Sequence, residues 1–164
     1  MNFSEIKSLL IQKFGEEAII GENSNLQQPQ LFINPAFLYK VCLFLYENEQ
    51  TYFDFLSCIT GLDNGANSLE IIYHLYSIPY NHPIVLKVTL EKNKENSPLP
   101  QIDTVSHIWA AANWHEREIF DLVGIHFLNH PDLRRILLPN DWQGHPLRKD
   151  YQIPEIYHDI KIKY

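Results

Sequence analysis

Apolar positions near the N-terminus predict one helix followed by two short strands. Ser4 is a candidate N-cap for that helix and Gly15 a candidate stop. Between them the apolar residues recur at helical spacing, at Ile6, Leu9, Leu10 and Phe14. The first strand is predicted at residues 18–22. The second, at residues 31–33, follows a proline that disfavours strand pairing just before it.

A second helix and three longer strands are predicted next. Asn34 and Pro35 are typical of an N-cap followed by a first-turn proline, and this helix is expected to run to about Asn48. One of its faces is apolar, with Phe37, Leu38, Val41, Phe44 and Leu45. Aromatic and β-branched residues then predict three strands, at residues 52–60, 69–78 and 84–91.

A last helix is predicted to be capped by Asp103 or Thr104, to run to about Val123 and to end at Gly124. The order helix, two strands, helix, three strands, helix does not alternate as it does in a doubly wound fold. It favours the α+β class, as a two-layer sandwich of helices packed on one mixed β-sheet. A chain of 164 residues with 45% hydrophobic content is sufficient to bury one core of this kind.

The C-terminal segment differs in character from the rest of the chain. Prolines recur at positions 131, 139, 146 and 154, and each prevents a long helix or a central strand. We therefore expect residues 1–124 to form the α+β domain and residues 125–164 to form an extended, proline-rich arm. The arm carries spaced apolar and aromatic side chains: Ile136, Leu137, Leu138, Trp142, Leu147 and Tyr151. This spacing suits binding to a partner, and it equally suits an arm that wraps its own domain.

The balance of charged side chains also differs between the domain and the arm. The net charge is −7, with 7 basic and 15 acidic side chains in residues 1–129 but 6 and 5 in residues 130–164. The acidic body argues against nucleic acid as a partner, because polyphosphate would be repelled. No apolar run approaches the roughly 20 residues that span a bilayer, and a secretory signal or transit peptide is not expected. Cys42 and Cys58 lie in apolar segments and are interpreted as buried thiols of a reducing compartment.

The predicted last helix carries a charged cluster that could be read as a carboxylate active site: Glu116, Arg117, Glu118 and Asp121. A general acid–base pair needs a pocket, and the aromatic and apolar neighbours of this cluster do not predict one. A structural or interface role is favoured, with a stand-alone enzyme as the alternative. The histidines lack metal-site spacing, and the glycines form no phosphate-binding motif for NADH.

A longer motif extends from this helix into the arm. It runs through Glu116-Arg117-Glu118-Ile119-Phe120-Asp121-Leu122-Val123-Gly124-Ile125, His130-Pro131-Asp132-Leu133-Arg134-Arg135-Ile136-Leu137, Asp141-Trp142 and Gly144-His145-Pro146-Leu147-Arg148-Lys149-Asp150-Tyr151. Together with Trp109, Ala112, Asn113 and Trp114, it closely resembles the signature of the 30 kDa subunit family of complex I. Members of that family are called C in bacteria and J in plastid-type enzymes. The departures are His115, Val123 and Gln152, none of which is a charged signature position.

The resemblance implies a structural, cofactor-free subunit in the peripheral arm of a proton-translocating NADH:quinone oxidoreductase. Flavin mononucleotide, iron–sulfur clusters and quinone are then expected in partner subunits. The chain is expected to clamp the large hydrogenase-like subunit of the quinone site. Its expected location is the cytoplasmic face of the bacterial inner membrane, with membrane contact only through the complex. The alternative is the equivalent subunit of a membrane-bound nickel–iron hydrogenase or of an F420- or ferredoxin-linked dehydrogenase.

The resemblance also assigns signature and interface positions rather than catalytic, cofactor-binding or metal-binding ones. These positions are Glu116, Arg117, Glu118, Asp121, Gly124, His130, Pro131, Asp132, Arg134, Arg135, Asp141, Trp142, Gly144, His145, Pro146, Arg148, Lys149, Asp150 and Tyr151. We hypothesise that Arg134 or Arg135 docks the arm on the large subunit through bidentate contacts to carboxylates. Replacing both by lysine should then weaken assembly without changing the melting temperature of the isolated domain.

Overall fold

The helices and strands are those of a computed structural model, which describes residues 1–65, 67–94 and 97–162. The α-helices in this part are α1 Phe3–Phe14, α2 Leu38–Glu47 and α3 Ala112–Leu122. Short 3-10 helices occupy Glu16–Ala18 and Pro35–Phe37. The strands are β1 Ile19–Asn23, β2 Gln30–Ile33, β3 Phe55–Asp63, β4 Ser68–Ser77, β5 His82–Glu91, β6 Gln101–Asp103, β7 His126–Leu128, β8 Ile156–Tyr157 and β9 Ile160–Lys161.

Strands β1 to β5 form one mixed sheet in the order β1-β2-β5-β4-β3. Only β2 and β5 run parallel among these neighbours. The register pairs Tyr73 with Leu86, so these two fully buried side chains lie on the same face of the sheet. Leu10, Leu45 and Ile119, one from each helix, belong to the same core. The predicted α+β class, with helices packed on a mixed sheet, is therefore confirmed.

The start of the first helix was predicted wrongly. Asn2, rather than Ser4, is its N-cap, because an acidic residue follows Asn2 at the third helical position. The Asn2 side chain accepts the amide of Glu5 at 2.9 Å, and the Glu5 carboxylate accepts the amide of Asn2 at 2.8 Å. The predicted stop is confirmed, since Gly15 ends the helix with φ of +85°.

The first long strand begins later than predicted, at Phe55 instead of residue 52. The preceding residues instead close the end of α2. The Thr51 hydroxyl donates to the Leu45 carbonyl at 3.0 Å, and the Phe53 amide donates to the same carbonyl at 2.9 Å. The apolar and aromatic composition that favoured a strand here reflects burial of Thr51 and Phe53 against the helix end.

The last helix begins at Ala112, so the prediction of a cap at Asp103 or Thr104 is wrong. Asp103 ends β6, which pairs in parallel with β7 after the helix. The chain returns beside its own strand in this way because Ile125 and Phe127 are buried in the core. Residues 126–128 therefore belong to the domain as strand β7, and the arm begins after Leu128.

None of the helices in the described ranges is long and apolar enough to cross a membrane. The same residues contain no cluster of three or more His, Cys, Asp or Glu side chains arranged to hold a metal ion. Cys42 is buried as predicted, whereas Cys58 is only half-buried on β3.

Candidate functional site

Helix α3 holds the arm through one fully buried carboxylate, that of Asp121. Its Oδ1 accepts Nη1 of Arg135 at 2.6 Å. Its Oδ2 accepts three consecutive backbone amides of the arm: Ile136 at 3.0 Å, Leu137 at 2.8 Å and Leu138 at 2.9 Å. Burial raises the pKa of Asp121, but these hydrogen bonds outweigh it and keep the pKa below its ordinary value. The side chain therefore anchors the arm through an ionised carboxylate.

Arg135 extends this anchor to later parts of the arm. Besides the Asp121 carboxylate, its guanidinium reaches the Asp121 carbonyl at 3.0 Å. Its Nη2 donates to the carbonyls of Trp142 at 2.9 Å and Gly144 at 3.0 Å. The planar fork of arginine allows four contacts in different directions, which a lysine ammonium cannot reproduce. One side chain thus fixes the separation between α3 and two turns of the arm.

The arm also caps the C-terminal end of α3, where carbonyl groups lack partners within the helix. The Leu147 amide donates to the Leu122 carbonyl at 2.9 Å. Arg148 donates to the carbonyls of Val123 at 2.6 Å and Gly124 at 2.8 Å. A cation at this end of a helix is also favoured by the helix dipole. Arg148 therefore caps the C-terminal end of α3 within the chain.

His145 packs against the turn that ends α3. Its Nδ1 donates to the carbonyl of Asp121 at 3.0 Å, and burial lowers the pKa of the ring below its ordinary value. Gly124 has φ of +75°, and a Cβ added there would lie 2.4 Å from Cδ2 of His145. Glycine is thus required twice at this position, for its backbone conformation and for the space.

A third anchor joins the arm to the end of β3. The carboxylate of Asp63 accepts the amide of Lys149 at 2.9 Å and forms an ion pair with Lys92 at 2.6 Å. Lys92 also lies 3.0 Å from the carboxylate of Asp150. Burial acts to raise the pKa of Asp63, but the hydrogen bonds from Lys92, Lys149 and Gly65 lower it to about 2. The arm is therefore fixed at both the helix and the sheet.

Glu116 forms a separate buried contact at the N-terminal half of α3. Its carboxyl group accepts the amide of Val105 at 2.8 Å and the hydroxyl of Thr104. Burial raises the pKa of Glu116 to about 7, although both hydrogen bonds act in the opposite direction. This side chain fastens the loop after β6 to the helix.

His130 is buried beside Glu116 but is not its ion-pair partner. Its Nδ1 accepts the amide of Asp132 at 3.0 Å, so the proton is on Nε2, which donates to the Asn113 carbonyl at 3.1 Å. Burial lowers the pKa of the ring, which is therefore neutral. Its distance of 3.8 Å from the Glu116 carboxyl is too long for a hydrogen bond.

Arg117 contacts the first part of the arm, at residues 132–135. Its guanidinium donates to the carbonyls of Arg134 at 3.3 Å and Arg135 at 3.4 Å, and it lies 3.9 Å from the Asp132 carboxylate. It also stacks on Trp114, with 5.2 Å between the guanidinium carbon and the ring centroid. The indole is nevertheless 63% exposed, because nothing in the described part of the chain covers its other face.

The end of the signature forms a small aromatic cluster on the arm. Nε1 of Trp142 donates to the hydroxyl of Tyr151 at 3.0 Å, and the Trp142 ring packs on Tyr157. Asp141 accepts the Tyr157 hydroxyl at 2.8 Å and lies 2.7 Å from His158. These contacts give the arm its own local structure beyond the helix.

The structure thus separates the signature into inward and outward positions. Seven of its side chains contact α3 or β3 from the arm or lie within them: Glu116, Arg117, Asp121, His130, Arg135, His145 and Arg148. The exposed signature positions are Glu118, Pro131, Asp132, Arg134, Asp141, Gly144, Lys149 and Asp150, whereas Pro146 is half-buried. The apolar residues Leu137 and Leu147 are 62% and 57% exposed.

Two interpretations change as a result. The docking hypothesis named Arg134 or Arg135. The guanidinium of Arg135 makes four contacts within the chain, whereas that of Arg134 pairs with Asp132 at 3.0 Å and is 69% exposed, so the hypothesis is narrowed to Arg134. The carboxylates of Glu116 and Asp121 are both fully buried, and only Glu118 of the cluster is exposed. This arrangement does not favour the stand-alone enzyme, in which these carboxylates would act on a substrate together.

Sequence analysis missed Thr104, Val105, Asp63 and Lys92 as parts of the site. Asp63 gave no signal of this role, because it lies beyond the strand predicted at residues 52–60 and its burial follows from the tertiary structure. The contact of its carboxylate with Lys149 joins residues 86 positions apart, and no local pattern marks such a pair.

Comparison with known proteins is consistent with this geometry. Residues 31–157 match the family described as the 30 kDa subunit of respiratory-chain NADH dehydrogenase. The C subunit of the NADH-quinone oxidoreductase of Chloroherpeton thalassium is 38% identical, over 93% of this chain and 62% of the relative. The C subunit of the same enzyme in Chlorobium phaeobacteroides is 36% identical, over 93% of this chain and 90% of the relative.

A relative of a different organisation is the C/D subunit of the NADH-quinone oxidoreductase of Buchnera aphidicola, which is 40% identical over 87% of this chain and 25% of the relative. Among solved structures, a chain of the membrane-bound sulfane sulfur reductase, an archaeal respiratory membrane complex, has the same fold. The TM-score is 0.72 and the identity 19%, over 92% of this chain and 85% of that chain. The residues that match the family include the whole of α3 and the anchored part of the arm. This chain belongs to the family of the 30 kDa subunit of respiratory-chain NADH dehydrogenase.

Proposed function

We propose that the chain is a structural subunit of a proton-translocating NADH:quinone oxidoreductase that clamps the large hydrogenase-like subunit with its arm. The observation that carries this proposal is the fastening of the arm by its backbone. Asp121 binds three consecutive amides, so the side chain of Leu137 projects outward with 62% exposure. Leu147, whose amide is bound to α3, is 57% exposed. An arm held in this way presents fixed apolar anchors to a partner.

The surface beside these anchors has the composition of a binding site. Trp114 is 63% exposed on α3, and the side chain of Arg134 is 69% exposed on the arm segment that Arg117 supports. Tryptophan and arginine are the residue types most enriched among residues that dominate binding energy. Because Arg117 already holds the indole on one face, little side-chain entropy would be lost when a partner covers the other face.

The choice of partner rests on the relatives. In Buchnera aphidicola and Bacteroides fragilis, the matching relative is a single protein named as a C/D subunit. A fusion joins the two subunits in one chain, which supports their being neighbours in the assembled enzyme. The fusion supports a neighbour of the D type for this chain, and we propose that this neighbour docks on the arm, at the cytoplasmic face of the inner membrane.

We further propose that flavin, iron–sulfur clusters and quinone are held by partner subunits. The sequence supports this, since Cys42 and Cys58 are not spaced as cluster ligands and the glycines form no nucleotide-binding motif. The chain separated from its complex should lack stoichiometric iron and flavin. One equivalent of either group, retained through separation, would contradict this part of the proposal.

The docking proposal is tested by pull-down of the tagged chain from its own membranes, followed by mass spectrometry and an NADH–quinone activity assay. The variant L137D/L147D should recover about tenfold less of the large subunit, as expected when anchors worth about 1.4 kcal/mol are lost. Its melting temperature should be unchanged, because both side chains are exposed. The control is Ile20→Asp, which alters a residue of similar exposure (60%) on β1, at the opposite edge of the sheet from β3.

Equal recovery of the large subunit by L137D/L147D and the control would overturn docking through the outer face of the arm. Recovery of a nickel–iron hydrogenase instead of an NADH-linked enzyme would keep the docking mode but replace the complex. A chain recovered alone would contradict the subunit role itself.

A further inference from the structure

The edge strand β3 has backbone hydrogen-bonding groups on one side that no strand in the described part of the chain uses. It is nine residues long and lies at the end of the sheet, with β4 as its only neighbour. Within residues 1–65, 67–94 and 97–162, the backbone of β3 pairs only with β4, apart from contacts that its end residue Asp63 makes through its side chain. Alternate amides and carbonyls of β3 therefore face solvent.

β3 lacks most features that keep edge strands from pairing with other chains. Soluble proteins protect edges with short strands, charged side chains, prolines or bulges. Residues 55–62 contain no charge and no proline, and the irregularity between Leu56 and Cys58 affects only one end. The other edge, β1, is five residues long and carries Glu22, which forms an ion pair with Lys7. A short length and a charged side chain thus protect β1, and neither is present along residues 55–62 of β3.

The exposed side chains of β3 favour an uncharged partner strand. Phe55 is 49% exposed, and Ser57 and Thr60 are exposed further along the strand. The strand is also rigidly supported, because Ile119 of α3 packs so closely on Gly61 that an added Cβ would lie 2.7 Å from it. A supported, uncharged edge provides a preorganised template for strand addition.

The edge is continuous with the proposed docking surface on the arm. The last residue of β3, Asp63, binds the amide of Lys149 at 2.9 Å. A protein that covers the arm near Leu147 therefore reaches the end of β3 without crossing another element of the described chain. Because of this continuity, the protein that docks on the arm is favoured over other strands that an open edge could bind.

We propose that β3 accepts an extended, uncharged strand from the partner subunit that docks on the arm, which continues the five-stranded sheet into the partner. This inference rests on the proposed function for the identity of the partner. Backbone hydrogen bonds would supply affinity, and the apolar groups around Phe55 would select the sequence of the added strand.

Residue-resolved amide hydrogen exchange tests the proposal on the full chain, alone and within the purified complex. In the isolated chain, alternate amides of residues 55–62 should exchange rapidly while their neighbours, bonded to β4, are protected. In the complex the exposed set should slow by at least about tenfold, as expected for amides that gain hydrogen bonds. Unchanged exchange in the complex would overturn the proposal. Slow, concentration-dependent exchange in the isolated chain would assign the edge to a second copy, which also overturns it.

A matched pair of substitutions gives an independent readout. Thr60 lies on the edge strand, and Thr89 is likewise exposed on the central strand β5. Thr60→Lys should lower recovery of the partner by about tenfold, because lysine on an edge opposes strand addition, whereas Thr89→Lys should leave it unchanged. Equal recovery of both variants, combined with a loss in L137D/L147D, would retain docking through the arm and reject the added strand. Failure of the wild-type chain to recover the partner would reject both.

Discussion

The carboxylate of Asp121 and the guanidinium of Arg135 meet at 2.6 Å, and this pair joins helix α3 to the arm. The carboxylate is fully buried and the guanidinium is 14% exposed. A buried ion pair is favourable only when its remaining donors and acceptors are satisfied. Here Oδ2 accepts three amides and the guanidinium reaches three carbonyls, so the desolvation of both charges is offset locally. The conformation of the arm depends on this arrangement.

Asp121→Asn should destabilise the chain by roughly 3 kcal/mol, the lower range for breaking a buried ion pair. The amide side chain has one acceptor oxygen, so it cannot serve both Arg135 and the three arm amides. Urea denaturation measures the free energy of unfolding, and limited proteolysis should show earlier cleavage in residues 130–150. The control is Glu118→Gln on the exposed face of α3, expected to change stability by less than about 0.5 kcal/mol. Equal stability of the two variants would contradict the anchoring role.

The adjacent arginines should respond differently to the same conservative change. Arg135→Lys should lower the free energy of unfolding by about 1–2 kcal/mol, since the lysine cannot reproduce the contacts to Trp142 and Gly144. Arg134→Lys should change it by less than about 0.5 kcal/mol, because that side chain is 69% exposed. Thermal or urea unfolding of the isolated chain checks both. The contacts of Arg135 thus argue against the expectation that lysine at both positions leaves the melting temperature of the domain unchanged. An Arg135→Lys variant as stable as the wild type would support that expectation instead.

Glu116→Gln should change how stability depends on pH. Burial raises the pKa of Glu116 from its ordinary value of 4.5 to about 7 in the folded chain. The folded state thus retains a proton that the unfolded state has lost between these values. The contribution of this group is fully present below pH 4.5, falls as pH rises towards 7, and is constant above. The slope is at most about 1.4 kcal/mol per pH unit.

Urea denaturation of both proteins at several pH values on either side of this window provides the measurement. The free energy of unfolding of the wild type, relative to Glu116→Gln, should fall across the window. His130 has a lowered pKa, so its own contribution runs in the opposite direction, and it is present in both proteins. Parallel pH curves for the two proteins would show that the pKa of Glu116 is the same in the folded and unfolded states.

Local patterns in the sequence predicted the elements better than their contacts. The helical stop at Gly124 and the mixed α+β architecture follow from residue spacing and element order, which act over a few residues. Thr104 was predicted as a helix cap because its type suits that position. Its hydroxyl binds Glu116 instead, 12 residues further on, which a local preference cannot anticipate.

The roles within the signature could not be predicted from residue type either. Arg134 and Arg135 are identical and adjacent, but the chain turns one to solvent and the other to Asp121. Which arginine faces inward depends on the path of the arm over α3, and that path is set by backbone amides that every residue possesses. The sequence identifies the two adjacent arginines, but the tertiary structure determines which of them faces Asp121.

Gly124→Ala should be more costly than the same change at Gly15, and the difference isolates the contact with His145. Both glycines have positive φ, +75° and +85°, so alanine should cost about 1–3 kcal/mol at each from backbone strain. At Gly15 an added Cβ meets nothing closer than 3.9 Å, whereas at Gly124 it would lie 2.4 Å from the His145 ring. Displacing that ring should add about 1–3 kcal/mol, measured by urea denaturation. In the double variant G124A/H145A the clash is absent, so the two losses should be less than additive. Strict additivity would mean that the turn moves away from His145 at no cost.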